Sequence, residues 1–155
     1  MADFYFVDTS ALGKRYFMET GSAWISGLLA PAVGHTVAIV RTTTVEMIAA
    51  VSRPERGGSL TPADAATAKA EFRSDLANEY QVVEMSPTPA TRAMTLAERH
   101  GLRGYDAIQL AAALEINVFR TSQGLPPITL LSADAELNAA AVLDGLIVDD
   151  PNLHP

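Results

Sequence analysis

The chain has 155 residues, of which 48% are hydrophobic, and its formal net charge at pH 7 is −7. A chain of this length can fold as one domain that buries about 70% of its unfolded surface. The absence of cysteine excludes disulfides and thiolate metal sites, and no apolar run is long enough to cross a bilayer. The acidic balance argues against a protein that coats nucleic acid, since phosphate neutralisation needs many basic residues.

The first predicted element is the run Phe4–Val7, which is apolar on both faces, as in a central parallel strand covered by helices. It ends abruptly at Asp8, and open α/β sheets bind their ligands at the carboxyl ends of strands. Residues 10–17 predict a short helix, with Thr9 or Ser10 as its N-cap. Asp8 is therefore the first candidate site residue.

The next stretch predicts a helix over residues 22–29, a second buried strand over 36–41 and a third helix over 43–53. Thr43 and Glu46 fit the T-x-x-E capping box at the start of that third helix. A capping box gives Glu46 a purely structural interpretation, worth about 1 kcal/mol to helix stability.

The middle of the chain begins with its most loop-like stretch, residues 54–61. Pro62 can occupy the first position of a helix, so a long amphipathic helix is predicted over 62–79. Residues 80–84 predict the third strand, and 90–100 predict another helix.

The last third of the chain contains the most apolar helix, predicted over residues 107–119 with a single buried stripe. A fourth strand is expected over 128–131, a helix from 134 through 142, and a short final strand over 146–148. The tail, 149–155, holds two prolines, so we expect it at the surface with its aspartates solvated.

This order of elements predicts an α/β fold. A mostly parallel sheet of about five strands would carry helices on both faces, in a three-layer α/β/α arrangement. No repeat or linker divides the sequence, so we expect residues 1–155 to form a single domain. The amino terminus lacks the positive region of a signal peptide, so we expect a cytoplasmic protein.

Three acids share one placement in the predicted sheet. Asp8 ends the first strand, Glu46 lies in the helical turn after the second, and Asp134 follows the fourth. In a parallel sheet with right-handed crossovers, these connections emerge on one edge. Asp106 differs, because its helix is preceded by another helix, and periodicity alone does not bring it to that edge.

Four segments carry a resemblance to a known family: residues 6–12 (FVDTSAL), 44–50 (TVEMIAA), 104–111 (GYDAIQLA) and 130–134 (LLSAD). The chain resembles the PIN-domain nucleases, and particularly the VapC-type toxins of bacterial toxin–antitoxin pairs. The family's pattern has an aspartate on strand one, a glutamate on the helix after strand two, and two later aspartates. Four acids of this chain match it in order: Asp8, Glu46, Asp106 and Asp134.

The resemblance implies a Mg²⁺- or Mn²⁺-dependent endoribonuclease that acts as a toxin on RNA, forms a homodimer and is silenced by a small antitoxin protein. Hard divalent cations take carboxylate oxygens. Two carboxylates about 5 Å apart repel by roughly 3 kcal/mol at an effective dielectric near 20. Four such groups in one cleft would raise one another's pKa values unless a cation shared the site.

The resemblance also implies a role for each site residue. The metal ligands would be Asp8, Asp106 and Asp134, whereas Glu46 would orient or deprotonate the attacking water. Three hydroxyl residues would hold a ligand, water or phosphate near the metal: Thr9, Ser10 and Ser132. Helix capping is the alternative for each hydroxyl, and a preference for helix N-termini is the alternative for Asp106 and Asp134.

Other interpretations stay open at this point. Lys14 or Arg15 could contact phosphate at the rim of the cleft, or form a solvated charged face of the first helix. An aspartyl-phosphate phosphotransferase would use Asp8 as its nucleophile, but the chain has no D-x-D-x-T motif there and no lysine after Lys69. A catalytically silent binding module on the same fold is the second alternative.

Overall fold

Five strands form one sheet at the centre of the computed structural model, which describes residues 2–155. Along the sheet the strand order is β3-β2-β1-β4-β5, and every neighbouring pair is parallel. The prediction of a mostly parallel sheet of five strands is therefore confirmed. The strands are β1 (Phe4–Val7), β2 (Thr36–Val40), β3 (Tyr80–Val83), β4 (Thr129–Leu131) and β5 (Ile147–Asp149).

The central strand is β1, which pairs with β2 on one side and β4 on the other, so that Phe6 lies between Ala38 and Leu130. Phe6 and Val7 are fully buried, because successive strand residues point to opposite faces and helices cover both faces. The chain builds the sheet outward from β1 to β3 and then returns to the other side of β1. Such a reversal forms a crevice at the carboxyl ends of β1 and β4, where open α/β sheets bind ligands.

Helices cover both faces of the sheet. One core cluster packs α5, α6 and α7 on the face to which Phe6 points, and another packs α1 to α4 on the face of Val7. The three-layer arrangement is confirmed, and no helix within residues 2–155 is long and apolar enough to span a bilayer. The helices are α1 (Thr9–Leu12), α2 (Ser22–Leu28), α3 (Arg41–Arg56), α4 (Pro62–Asn78), α5 (Pro87–His100), α6 (Gly104–Ser122) and α7 (Ala135–Leu143).

The start of α3 differs from the prediction. The helix begins at Arg41, with Val40 as an N-cap that makes no side-chain capping bond. Thr43 and Glu46 therefore lie inside the helix, and the predicted capping box is wrong. The physical reason is that β2 passes directly into α3, so no connecting loop supplies a capping hydroxyl.

The first helix is also shorter than the predicted span of 10–17. Its α-helical part is α1, and a 3-10 turn, Gly13–Arg15, follows it. The N-cap is Asp8, whose side chain accepts a hydrogen bond from the Ser10 N–H, so the prediction of a Thr9 or Ser10 cap is wrong. A carboxylate at the end of a strand can cap the helix that follows it.

The carboxyl-terminal segment is held more closely than its sequence predicts. Asp149 ends β5 rather than opening a solvated tail, and its Oδ1 lies 2.7 Å from His154 Nε2. The His154 ring stacks on Trp24 with the ring centroids 3.9 Å apart, and Pro151 is buried. Aromatic and apolar contacts thus fix residues that the prolines alone would place in a surface loop.

Candidate active site

Asp8 lies in the crevice directly after β1, and only 4% of it is exposed. Its Oδ2 accepts hydrogen bonds from Ser10 N at 3.2 Å, Ser10 Oγ at 2.5 Å and Ser132 Oγ at 3.3 Å. Ser132 follows β4, and the pairing of β4 with β1 brings the two strand ends together. Two of the three predicted accessory hydroxyls therefore contact Asp8, and Oδ1 receives none of these hydrogen bonds.

The pKa of Asp8 is raised above its ordinary value, mainly because burial disfavours the charged carboxylate. Hydrogen bonds from Ser10 oppose this rise, and the negative charge of Asp134 adds to it. Within residues 2–155, no lysine, arginine or histidine forms a salt bridge with Asp8. A bound cation would stabilise such a buried and unpaired carboxylate.

Glu46 lies in the second turn of α3, and its carboxylate is also held by hydrogen bonds. Its Oε1 accepts from Thr9 Oγ1 at 3.1 Å and from Gln109 Nε2 at 3.3 Å. Burial raises the pKa of Glu46, the hydrogen bond from Thr9 opposes this rise, and the charge of Asp8 adds to it. The third accessory residue, Thr9, therefore holds Glu46 rather than Asp8.

Asp106 lies in the first turn of α6. Asp106 lines one cavity together with Thr9 and Glu46. The start of α6 therefore lies at the carboxyl edge of the sheet, beside the other acids. Burial raises the pKa of Asp106, the charges of Asp134 and Asp8 raise it further, and Arg103 opposes the rise.

Asp134 is the N-cap of α7, where its Oδ1 accepts from Leu137 N at 2.9 Å. Its own N–H donates to Ser132 Oγ at 3.1 Å. The structural alternative for Asp134, helix capping, is thus present in the fold. Its charge nevertheless raises the pKa values of Asp8 and Asp106, so the residue is also part of the acidic cleft.

The charges of four acids act on one another in this cleft: Asp8, Glu46, Asp106 and Asp134. In the part of the chain that the structure describes, no three His, Cys, Asp or Glu side chains are grouped tightly enough to hold a metal ion by themselves. The available donors are carboxylate and hydroxyl oxygens. Mg²⁺ prefers oxygen ligands, commonly binds through one or two carboxylates and keeps several waters. The donor set therefore fits a hydrated divalent cation, not one enclosed by protein ligands.

A cavity of about 460 Å³ adjoins the acids, and its wall includes Thr9, Glu46 and Asp106. The other polar residues of this wall come from α3 and from the start of α6, which only the fold brings together, and of these only Tyr105 lies within a segment that carries the family resemblance. Sequence reasoning missed three such residues: Arg53, Arg103 and Tyr105.

The two basic residues after α1 have different environments. Lys14 is buried, with Nζ 3.3 Å from Glu19 Oε2, and it lines a second cavity of about 510 Å³ together with Ser10. Arg15 lines neither cavity, because its guanidinium contacts Glu79 at 2.8 Å in a partly buried ion pair. Neither residue forms the solvated charged face that was one of the two interpretations.

Gln109 is a buried site residue whose role sequence reasoning also missed. Its Nε2 donates to Thr43 Oγ1 at 2.8 Å, to Thr9 Oγ1 at 3.2 Å and to Glu46 Oε1 at 3.3 Å. The available signal was a lone amide in the most apolar helix, because a buried polar side chain needs hydrogen-bond partners. Gln109 therefore links α6 to Glu46 directly and to Thr9, whose hydroxyl also holds Glu46.

Comparison with known proteins agrees with this geometry. The family model of the PIN domain matches residues 5–143. Two curated relatives, Ribonuclease VapC45 and Ribonuclease VapC49, come from two strains of Mycobacterium tuberculosis. Each is 31% identical over 151 residues, which cover 97% of this chain and 97% of the relative.

Solved structures share the fold. PAE2754 from Pyrobaculum aerophilum is 26% identical with a TM-score of 0.61, over 96% of this chain and 90% of its own. VapBC2 from Rickettsia felis, solved with a DNA fragment from their promoter, is 16% identical with a TM-score of 0.63, over 95% of this chain and 98% of its own. The second likeness shows the fold alone. The family-model match and the relatives spanning nearly the whole chain confirm the resemblance seen in the sequence, and the chain belongs to the PIN-domain family.

Proposed function

We propose that this chain is a Mg²⁺- or Mn²⁺-dependent endoribonuclease and the toxin of a toxin–antitoxin pair. The observation that carries the proposal is a cleft of four mutually repelling carboxylates at the crevice of a parallel sheet. Among residues 2–155, none of the four has a salt-bridge partner. The full-length relatives named as ribonucleases support RNA as the substrate class.

The mechanism assigns the four acids to two tasks. Three carboxylates would hold the hydrated cation, directly or through its water ligands: Asp8, Asp106 and Asp134. When bound, the cation would supply positive charge that orients the scissile phosphate and stabilises the leaving oxygen. Glu46 would take a proton from the attacking water as the water oxygen bonds to phosphorus and one phosphorus–ribose oxygen bond breaks. Because a base works best with a pKa near the working pH, the raised pKa of Glu46 suits this task.

The hydroxyl and amide residues would position these acids. Ser10 and Ser132 hold Oδ2 of Asp8, which leaves Oδ1 for a ligand. Thr9 and Gln109 hold Oε1 of Glu46, which leaves Oε2 to accept a proton. In both Asp8 and Glu46, hydrogen bonds thus fix one carboxylate oxygen and leave the other oxygen free for these tasks.

An antitoxin partner and a homodimer complete the proposal. Membership of the PIN-domain family and the similarity to proteins named VapC support a protein partner for this chain. We expect a small antitoxin protein to cover the cleft and block cleavage. Co-purification of the two proteins, followed by measurement of the complex mass, would test both the partner and the dimer.

Cleavage of a labelled single-stranded RNA by the purified protein tests the nuclease directly. We expect the wild type to cut with Mg²⁺ or Mn²⁺ and not with EDTA, and Glu46→Gln to lose about 100-fold or more in rate. Glu71→Gln is the matched control, because Glu71 is exposed and lines neither cavity. Equal cleavage by the wild type and Asp8→Asn would contradict the mechanism, and cation-dependent RNA binding without cleavage would indicate the silent binding module.

The pH dependence gives a second readout. Because burial raises the pKa of Glu46 above its ordinary value of 4.5, we expect the rate to fall with decreasing pH before an ordinary glutamate would protonate. The residual activity of Glu46→Gln should lack this acid limb. An unchanged pH profile in the variant would show that Glu46 is not the titrating base.

A further inference from the structure

The basic residues divide into two groups by their partners. Six of the eleven lysines and arginines form salt bridges: Lys14, Arg15, Arg41, Lys69, Arg92 and Arg99. Within residues 2–155 the other five form none: Arg53, Arg56, Arg73, Arg103 and Arg120. Two of these five, Arg53 and Arg103, lie on the wall of the cavity that holds Glu46 and Asp106.

Arg103 is close enough to Asp106 for its charge to lower the pKa of that carboxyl, yet it forms no salt bridge with any acid in the described residues. Both Arg53 and Arg103 are exposed. Their guanidinium groups are therefore available to an anion that enters the cavity. A guanidinium matches the geometry of a phosphate with two parallel N–H donors.

Tyr105 adds an aromatic surface to the same wall. It lies next to Asp106 in the first turn of α6, and 55% of it is exposed. An exposed aromatic ring beside unpaired arginines is an arrangement that proteins use to stack unpaired bases. A cavity of about 460 Å³ is within the size range of sites that hold small ligands, so it can accept one nucleotide unit.

The two arginines also reduce the electrostatic repulsion between this chain and RNA. A chain with a net charge of −7 and four acids in its cleft repels RNA. Positive charge is therefore needed beside the cleft to hold the phosphates that flank the cleaved bond. The unpaired arginines supply it locally, without making the whole surface basic.

We propose that Arg53, Arg103 and Tyr105 form a nucleotide-binding wall that holds the RNA beside the cleaved bond. The two guanidinium groups bind phosphates next to the scissile one, and the Tyr105 ring stacks on an unpaired base. The inference rests on the proposed nuclease function and extends it to the residues that hold the substrate.

Binding measured in EDTA separates this wall from catalysis. Fluorescence anisotropy with a labelled single-stranded RNA would give Kd for the wild type, for Arg53→Gln/Arg103→Gln, and for the control Arg56→Gln/Arg73→Gln. The control changes the net charge equally, but neither of its residues lines a cavity. We expect the first pair to weaken binding by roughly tenfold or more, and to reduce the slope of log K against log salt by about 1.4.

Separate variants test whether the Tyr105 ring stacks on a base. Tyr105→Leu should weaken binding to single-stranded RNA by roughly 5- to 150-fold, whereas Tyr105→Phe, which keeps the ring, should bind like the wild type. Phe119→Leu is the matched control, because Phe119 is an exposed aromatic residue on the same helix that lines neither cavity.

The outcomes distinguish the two levels of the proposal. If the wild type cleaves RNA but the two double variants bind RNA equally well, the proposed nucleotide-binding wall is contradicted and the proposed nuclease function is not. Equal loss of binding in Tyr105→Leu and Tyr105→Phe would overturn the stacking role. If the wild type neither binds nor cleaves RNA, the proposed function itself fails, and the wall with it.

Discussion

Asp8 combines nearly complete burial with a negative charge, so folding without a cation has an electrostatic cost at this residue. Its pKa is higher in the folded protein than in the unfolded chain, where the ordinary value is 3.8. The folded state therefore binds the proton more tightly. The cost is present above the raised pKa and disappears as pH falls through it.

Replacing Asp8 by Asn should therefore stabilise the protein in EDTA at neutral pH, because the amide keeps the acceptor oxygen and loses the charge. The difference from the wild type should shrink as the pH is lowered toward the ordinary aspartate range. Urea denaturation at a series of pH values would measure it. Added Mg²⁺ should raise the Tm of the wild type more than that of the variant, and a variant less stable at every pH would contradict the unpaired-charge argument.

Gln109 acts on the site through other residues, and its removal should separate positioning from substrate binding. Gln109→Leu leaves the buried Thr43 hydroxyl without this donor and removes one of the two donors to Oε1 of Glu46, which costs about 1–3 kcal/mol of stability. We expect kcat to fall with little change in KM, and the acid limb of the pH profile to move, because Glu46 loses a hydrogen bond that lowers its pKa.

A glutamine on the exposed face of β3 provides the matched control for that substitution. Gln81→Leu should leave kcat and the pH profile unchanged, because Gln81 is exposed and lines neither cavity. If Gln109→Leu lowered stability but left the pH profile where it was, its role would be structural support of α6 only.

The start of α2 meets the carboxyl-terminal segment at Gly21. Its φ is +84°, and a Cβ there would lie 2.1 Å from the carbonyl oxygen of Pro151. A side chain is therefore disfavoured both by the left-handed backbone and by the close approach. This contact, together with the stacking of Trp24 on His154, fixes the 3-10 turn Pro151–Leu153 against the domain.

Gly21→Ala should lower the free energy of unfolding by more than about 1 kcal/mol. Gly27→Ala in the same helix should instead stabilise the protein by up to about 1 kcal/mol, since its Cβ meets nothing within 4 Å. Chemical denaturation of both variants would measure the contrast. Equal stability of the two variants would show that Pro151 does not constrain Gly21.

The proposed toxin role is a property of the whole molecule in the cell. Expression of the wild type without a partner should arrest growth, because the cleft is then uncovered, whereas Glu46→Gln at an equal soluble level should not. Glu71→Gln should behave like the wild type. Growth arrest by Glu46→Gln would show that toxicity does not come from cleavage.

Local sequence patterns predict much of the fold. The five strands were predicted close to their observed bounds, because short apolar runs that end at polar residues reveal buried strands without reference to the rest of the chain. The same approach failed at α3, where β2 passes directly into the helix. It failed again at the tail, which Trp24 and Pro151 hold from a distance.

The sequence by itself determined the parallel topology, and with it the placement of Asp8, Glu46 and Asp134 at one edge, because parallel strands with right-handed crossovers bring these connections to the same edge. Only the tertiary structure decided that α6 starts at the same edge and brings Asp106 there. It also decided the contacts: Gln109 and Thr9 are 100 positions apart and hydrogen-bonded. The physical reason is that helix packing on the sheet sets distances between such residues, and local sequence does not record them.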